Sequence, residues 1–333
     1  MAEKIRVAVL GTGSIGARHI QVLGDAGFEP IAISVRAPGT TGGAPAGTLA
    51  ARDLSEAAAM GASRCVVATD TGRHLADTLE AIGCGYDVLV EKPLSVDASA
   101  AREICHAAAS AGRRAFTAFV FRFSDSLNRF RELLPNAGQL HAVRVECQSY
   151  LPDWRPNRPY RDTFAAREAE GGVLRDLSHE LDYAGWLFGW PDKVQGRLRN
   201  TGRLGIQADE SVDAAWEGAG GCEVSLRIDY LTRQTRRRVT ADGDQGSLVW
   251  DAIRNTVTWL APGQAPVEES RPQERNAMFA AELQAFLAAT AGSAVGHDPR
   301  IATAEDGFRS LALSDAIRLS SRTRREEAIE YSL

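Results

Sequence analysis

The spacing of hydrophobic and polar positions changes partway along the chain. In the first 123 residues, short apolar runs alternate with stretches of helical character. Ile5 to Leu10 is the first run, too short for a helix, and Ala17 to Asp25 follows as a helix ending near Gly27. "PIAISV", Cys65 to Ala68, Asp87 to Val90 and Ala115 to Phe119 give further strands. Between them lie helices over "DLSEAAAM", His74 to Ile82 and Asp97 to Ala111, the first with Asp53 or Ser55 placed to cap it. "APGTTGGAPAGT" is turn-rich and is expected to be a surface loop. Strands without a polar face that alternate with helices form a parallel sheet covered on both sides.

Beyond Phe123 the period becomes two. A connecting helix, "DSLNRFRELL", closes at Pro135 and Gly138. Val143, Val145 and Cys147 then alternate with Arg144, Glu146 and Gln148. Cys222, Val224, Leu226, Ile228 and Tyr230 alternate with Glu223, Ser225, Arg227 and Asp229. One buried and one polar face is the mark of an antiparallel sheet. "VTADGDQGSLVW" predicts two strands about a turn, and "TVTWL" another. Two helices close the chain, one with a stripe of Phe279, Leu283, Phe286 and Leu287. The other carries Phe308, Leu311, Ala312, Ala316 and Leu319. A chain of 333 residues exceeds one ordinary core. The expectation is an α/β domain over 1–123 and an α+β domain over 124–333, the second with a large, mainly antiparallel open sheet.

Composition narrows the function classes. A hydrophobic share of 44% with 24% charged residues is that of a soluble globular protein, and a net charge of −5 gives no reason to expect nucleic acid. The basic "TRRR" at Arg236 to Arg238 is expected to lie on a solvated strand face. Five scattered cysteines, without a C-x-x-C pair, argue against a disulfide framework and against a zinc site. With no signal-like segment and no run of spanning length, a reducing cytoplasm is the expected setting, with no membrane partner and no metal.

The candidate chemistry begins directly after the first strand. Gly11, Gly13 and Gly16 are spaced G-x-G-x-x-G between strand and helix. This arrangement lets a pyrophosphate approach the backbone and face the helix N-terminus, so a dinucleotide site is expected. The second strand ends in Ser34-Val35-Arg36, with no carboxylate for ribose hydroxyls. Arg36 and Ser34 suit a 2′-phosphate, which places NADP(H) ahead of NAD(H). Glu91-Lys92-Pro93 follows the end of a predicted parallel strand, where open α/β sheets hold ligands. Pro93 restrains Lys92, which can hydrogen-bond a substrate oxygen there.

"GGVLRDLSHELDYAGWLFG" predicts a glycine-marked loop and a helix. Asp176, His179 and Tyr183 share one side, facing a cleft, and Leu177, Leu181, Ala184 and Phe188 the other, facing the sheet. An imidazole moves protons near neutral pH, and a carboxylate beside it orients it. Before this helix, Tyr150, Trp154, Arg155, Arg158, Tyr160 and Arg161 crowd one segment. They suit sugar stacking and the binding of a carboxylate or phosphate, or else a partner subunit.

"GTGSIGARH", "TDTGRH", "VLVEKPLS" and "SHELDYAGWLFG", in this order over roughly two-thirds of the chain, resemble the glucose-fructose oxidoreductase / inositol dehydrogenase / rhizopine-catabolism (Gfo/Idh/MocA) family. The resemblance implies a Rossmann domain and a C-terminal domain whose open sheet forms the subunit interface of a homodimer or homotetramer. It implies hydride exchange at nicotinamide C4 with a secondary alcohol or ketone of a sugar, sugar derivative or cyclitol, which the arginines suggest is anionic. Carried over by position, Lys92 and His179 are catalytic and Asp176 precedes the histidine. Thr12, Ser14, Ile15, Thr69, Asp70, His74 and Glu91 join the glycines, Ser34, Arg36 and Lys92 around the cofactor. Arg122 joins Lys92, Asp176, His179 and the aromatic-arginine segment around the substrate. Asp176 and His179 are three apart where the family has four. Val120 replaces an Asn that supplies a polar contact near the cofactor, and Asp70 stands where Asn or Pro is usual. Reduction of a C=N or conjugated bond, and a cofactor-binding regulator without turnover, are the alternative readings.

Overall fold

The computed structural model describes residues 4–35, 45–154, 159–168, 170–291 and 298–333. Arg36, Arg155, Arg158 and most of the expected loop over 37–48 lie outside the described residues. In the first stretch, β1 (Arg6–Leu10), β2 (Glu29–Ile33), β3 (Leu49–Ala51), β4 (Arg64–Val67), β5 (Asp87–Glu91) and β6 (Ala115–Ala118) alternate with helices. These are α1 (Ser14–Asp25), α2 (Leu54–Ala59), α3 (His74–Gly83) and α4 (Ala98–Ala111). Asp53 and Asp97 cap α2 and α4 by accepting from the N–H groups of Glu56 and Ala100. Then come α5 (Asp125–Leu133), β7 (Leu140–Gln148), α6 (Val173–Asp176), α7 (Ser178–Phe188), β8 (Lys193–Arg199), β9 (Ser211–Glu217) and β10 (Glu223–Asp229). After these lie β11 (Arg236–Gly243), β12 (Gly246–Asp251), β13 (Thr256–Leu260), β14 (Val267–Ser270), α8 (Arg275–Ala289), β15 (Ala302–Thr303), α9 (Ala304–Thr323) and β16 (Glu327–Ala328).

The chain forms two compact units. The first holds the residues up to Phe123 together with Glu274–Phe308. Its sheet runs β15-β6-β5-β4-β1-β2-β3, parallel except for the short β15. Val7, Val9, Val66, Leu89 and Phe116 share a buried cluster with Ile20 and Leu23 of α1 and with Phe279, Leu283 and Phe286 of α8. A division at Phe123 assigned α8 to the second domain. It belongs to the first because apolar side chains of β5 and β6 on this face are covered by α8, which periodicity alone does not reveal.

The second unit holds Ser124–Gln273 and Arg309–Ser332. Its nine strands run β14-β13-β12-β11-β7-β10-β9-β8-β16, and only β7 and β10 pair in parallel. The alternation of Cys222, Val224, Leu226, Ile228 and Tyr230 becomes one buried face. Tyr183 of α7 packs edge-on against Trp250 of β12, whose indole donates to Ser126 at 2.8 Å. The other face carries charges: Asp213 pairs with Arg227 at 2.5 Å and Arg199 at 3.0 Å, and Asp251 with Arg238 at 2.9 Å. The closing stripe is buried at Leu311, Ala312 and Ala316, but Leu319 is exposed.

Candidate active site

In the first unit, β1 delivers the chain into the glycine loop. Gly11 has φ of 99°, and a Cβ there would stand 2.6 Å from the Ala68 carbonyl oxygen. A Cβ on Gly16 would stand 1.8 Å from the Gly11 carbonyl oxygen. Neither glycine can be replaced without moving backbone. The helix starts at Ser14 rather than Ala17, so Gly13 is its N-cap, and no side chain caps it. Its first turn has no acidic residue, which leaves backbone N–H groups of that turn directed at an incoming anion. Thr12 is buried, with its hydroxyl 3.5 Å from that of Ser34 at the end of β2. Ser14 and Asp70 are exposed, and Ile15 and Thr69 half-buried. The Thr69 hydroxyl, just past β4, is buried and has no partner among the described residues.

Lys92, half-buried, follows β5 and forms a cis peptide bond with Pro93. Its neighbours are held tightly. Glu91 is 7% exposed; one carboxylate oxygen accepts from His19 Nε2 at 2.7 Å, the other from the Lys92 N–H at 3.2 Å. Burial pushes the Glu91 carboxyl up, but the hydrogen bond from His19 and the charges of His19 and Lys92 bring it below the usual range. His74 lies 2.8 Å from the Pro93 carbonyl through Nδ1 and 3.1 Å from that of Thr69 through Nε2. Burial lowers its pKa against the pull of both carbonyls. Neutral, it has one proton, and the shorter contact assigns that proton to Nδ1.

Glu91 and His74 were expected to contact the cofactor. Their side chains are instead occupied in fixing the loop that carries Lys92. Arg122, expected to touch substrate, is 2% exposed and pairs with Asp306 at 3.1 Å. Its charge is committed to the start of α9.

In the second unit the expected single helix is broken. Leu177, at φ −93° and ψ 41°, separates α6 from α7, so Asp176 and His179 do not share one continuous helix. The start of α6 has visible causes. Gly172 turns at φ 90°, where a Cβ would stand 2.3 Å from Asp209. The Asp209 carboxylate accepts from the Leu174 N–H at 3.0 Å and so fixes the first turn of α6. The division into polar and apolar sides also fails, because α7 is buried nearly all round and Tyr183 is fully enclosed.

Asp176 and His179 are each 8% exposed. Tyr230 donates to Asp176 Oδ2 at 3.0 Å. Burial and the Asp176 charge push the Tyr230 phenol well above its ordinary pKa, so it remains a donor. Trp154 packs edge-on against Tyr230 and donates to the Ser149 hydroxyl at 2.9 Å. Arg233 stacks over Tyr150 at 3.6 Å. The structure thus groups Asp176, Tyr230 and Trp154, and pairs Tyr150 with Arg233. It does not leave Tyr160 and Arg161 available as expected: the Tyr160 hydroxyl and Arg161 guanidinium both donate to the Leu204 carbonyl, at 2.9 Å and 3.0–3.1 Å. Tyr230 and Arg233 were missed because one closed a regular alternation and the other sat in a polar turn.

Arg237 is also placed differently from expectation. Its guanidinium turns inward, 2.7 Å from Glu180 of α7, whose carboxylate also accepts from Tyr183 at 3.0 Å.

A parallel sheet in the order β6-β5-β4-β1-β2-β3, a glycine loop on β1 and a lysine past β5 define an oxidoreductase with a nicotinamide-dinucleotide domain. Residues 5–119 match the oxidoreductase family with an NAD-binding Rossmann fold, and residues 135–249 match the GFO/IDH/MocA C-terminal domain. The chain belongs to the Gfo/Idh/MocA oxidoreductase family. It is 27% identical to 1,5-anhydro-D-fructose reductase of Ensifer adhaerens, covering 80% of each chain. It is 25% identical to inositol 2-dehydrogenase of Rhizobium meliloti, over 98% of this chain and 99% of that one. A solved levoglucosan dehydrogenase, in complex with NADH and L-sorbose, shares the fold with a TM-score of 0.82 at 16% identity, covering 98% of this chain and 99% of that one. The close-packed glycines, the uncapped N-terminus of α1 and the buried Thr69 hydroxyl fit such a dinucleotide. Among the described residues, no helix is long and apolar enough to cross a membrane and no group of side chains could hold a metal ion.

Proposed function

We propose that this chain exchanges hydride between NADP(H) and a secondary alcohol or ketone of an anionic sugar, sugar derivative or cyclitol. The observations that support this reading are, in the first unit, a lysine past β5 whose backbone N–H is held by Glu91 and, in the second, an Asp176 carboxylate held by Tyr230 three residues before His179, in a chain whose relatives bear the names of sugar and cyclitol oxidoreductases. When bound, the nicotinamide supplies or accepts the hydride at C4. Lys92 donates to the reacting oxygen, and His179 takes or returns the hydroxyl proton, with Asp176 orienting it. Trp154 offers an aromatic surface to a sugar ring. Arg233, with no ion pair among the described residues, offers its stacked guanidinium to an anionic group.

For the cofactor, the described end of β2 presents Ser34 and no carboxylate, and Arg36 follows two residues later. Both suit a 2′-phosphate. Incubating the protein with NAD⁺ or NADP⁺ and neutral, acidic and nucleotide-linked sugars tests the whole reading. Reduction of NADP⁺ with an acidic sugar is expected, and Arg36→Ala is expected to erase most of the preference for NADP⁺. Absence of cofactor reduction across the panel removes the enzyme assignment, and equal affinity for NADPH and NADH removes the role of Arg36.

We also read the charged open face of the nine-stranded sheet as the surface by which copies associate. Paired charges such as Arg227–Asp213 make such an association salt-sensitive. Sedimentation at low and high salt is expected to show a dimer or tetramer that loosens as salt rises; a monomer at both excludes it.

A further inference from the structure

The first unit holds a buried imidazole that the proposed reaction does not use. His19 of α1 is fully enclosed, edge-on to Phe279 at 5.5 Å, and its Nδ1 has no hydrogen-bond partner among the described residues. An apolar side chain would fill this space without an unmatched imidazole nitrogen, but would leave the buried Glu91 oxygen without its donor. The one hydrogen bond His19 makes is to Glu91, 2.7 Å away. An ionised carboxylate can only accept, so Nε2 carries the proton and donates. The second oxygen of Glu91 receives the N–H of Lys92. From the other side, His74 binds the Pro93 carbonyl. The backbone around Lys92 is therefore held by two buried histidines, one through Glu91 before it and one at the Pro93 carbonyl after it.

We propose that His19 and Glu91 form a positioning pair for Lys92, through which α1 sets the lysine as well as the glycine loop. The inference rests on Lys92 as the group that meets the reacting oxygen. A lysine stem hangs from its Cα, so the direction of its ammonium group depends on the backbone that Glu91 fixes. Glu91 in turn is steady only while His19 occupies its other oxygen. The same helix presents its N-terminus to the dinucleotide and its sixth residue, His19, to Glu91, which ties lysine placement to the element that seats the cofactor.

The test uses the full chain with Glu91→Ala, Glu91→Gln, His19→Asn and Lys92→Ala. Three quantities are measured: kcat and KM, NADPH affinity by fluorescence, and the rate of Lys92 acetylation in the cofactor-free protein by competitive labelling and mass spectrometry. Glu91→Ala is expected to lower kcat by about 10- to 100-fold, the scale of a small misplacement of a catalytic group. NADPH affinity should stay within about threefold, which separates placement from binding. Lys92 labelling should shift several-fold from wild type in the same variant. Glu91→Gln, whose amide oxygen still accepts from the Lys92 N–H, should recover most of both. His19→Asn, too short to reach Glu91, should move kcat and labelling in the direction of Glu91→Ala, so the outcome does not hang on one variant folding. Wild-type labelling and kcat in folded Glu91→Ala or His19→Asn overturns the proposal, as does a loss explained by NADPH affinity alone. Wild-type kcat in Lys92→Ala strikes the functional reading of the lysine instead, while labelling, which needs no turnover, still decides whether the pair sets its position.

Discussion

Replacing His179 by alanine is expected to lower kcat by about 10²- to 10⁴-fold, the range for loss of a positioned general acid or base. The expectation follows from where the residue stands. His179 is the second residue of α7, directly past the break at Leu177, and little of it is exposed. Asp176, on the other side of the break, is fixed by Tyr230. Dinucleotide affinity should hardly change, because the expected phosphate contacts lie in the glycine loop of the first unit. Lys92→Ala should give a loss of similar size for a different reason, since it removes a donor to the reacting oxygen rather than a proton carrier. Asp176→Asn should cost less, because its amide oxygen can still accept from Tyr230. Steady-state kinetics with a substrate found in the sugar panel checks all three. Near-wild-type kcat in both His179→Ala and Lys92→Ala would sink the assignment.

The features on which this expectation rests were legible in the sequence to different depths. The glycine loop and β5 could be read because strand, turn and helix follow each other without interruption, and each has a local cause. The cap at Asp53 and the alternation ending at Tyr230 were readable for the same reason. What escaped was set by distant partners. The short edge strand β3 has only three residues and no local signature. Helix α8 shows an ordinary stripe, and nothing in the stripe says which sheet it covers. Helix α7 looked two-sided because Asp176, His179 and Tyr183 fall opposite Leu177, Leu181, Ala184 and Phe188, yet both sets are buried. Glu180 finds its arginine 57 positions further along the chain, at Arg237. A basic run such as "TRRR" offers no local clue that its middle member points inward. The arginines and tyrosine expected at the substrate were partly misplaced for the same reason, since Tyr160 and Arg161 answer a carbonyl some forty residues away. The start of α6 at Gly172 depends on Asp209, which lies beyond the helix and beyond any window of periodicity.

The buried pair under α7 carries the largest expected effect on stability. Arg237→Ala leaves the Glu180 carboxylate, fully enclosed and one residue from His179, with Tyr183 as its remaining donor among the described residues. Removing one partner of a buried ion pair costs about 3–5 kcal/mol, because the remaining charge keeps its desolvation and loses its attraction. Against a total stability on the order of 5–15 kcal/mol, that is a large part of what keeps a domain folded. All six tryptophans, Trp154, Trp186, Trp190, Trp216, Trp250 and Trp259, lie in the second unit, so tryptophan emission during urea unfolding reports this unit selectively. The midpoint should fall markedly in Arg237→Ala. A double replacement, Arg237→Met with Glu180→Leu, removes both charges and should recover most of the loss, since an apolar pair of similar volume avoids the desolvation altogether. The phenol of Tyr183, held well above its ordinary pKa by burial and then by the Glu180 charge, stays protonated in either variant and loses only its acceptor in the second. An unchanged midpoint in Arg237→Ala would mean that Glu180 finds another partner or water once the guanidinium is gone, and that the pair does not hold α7. A double variant no more stable than Arg237→Ala would instead place the cost in lost packing around the arginine stem.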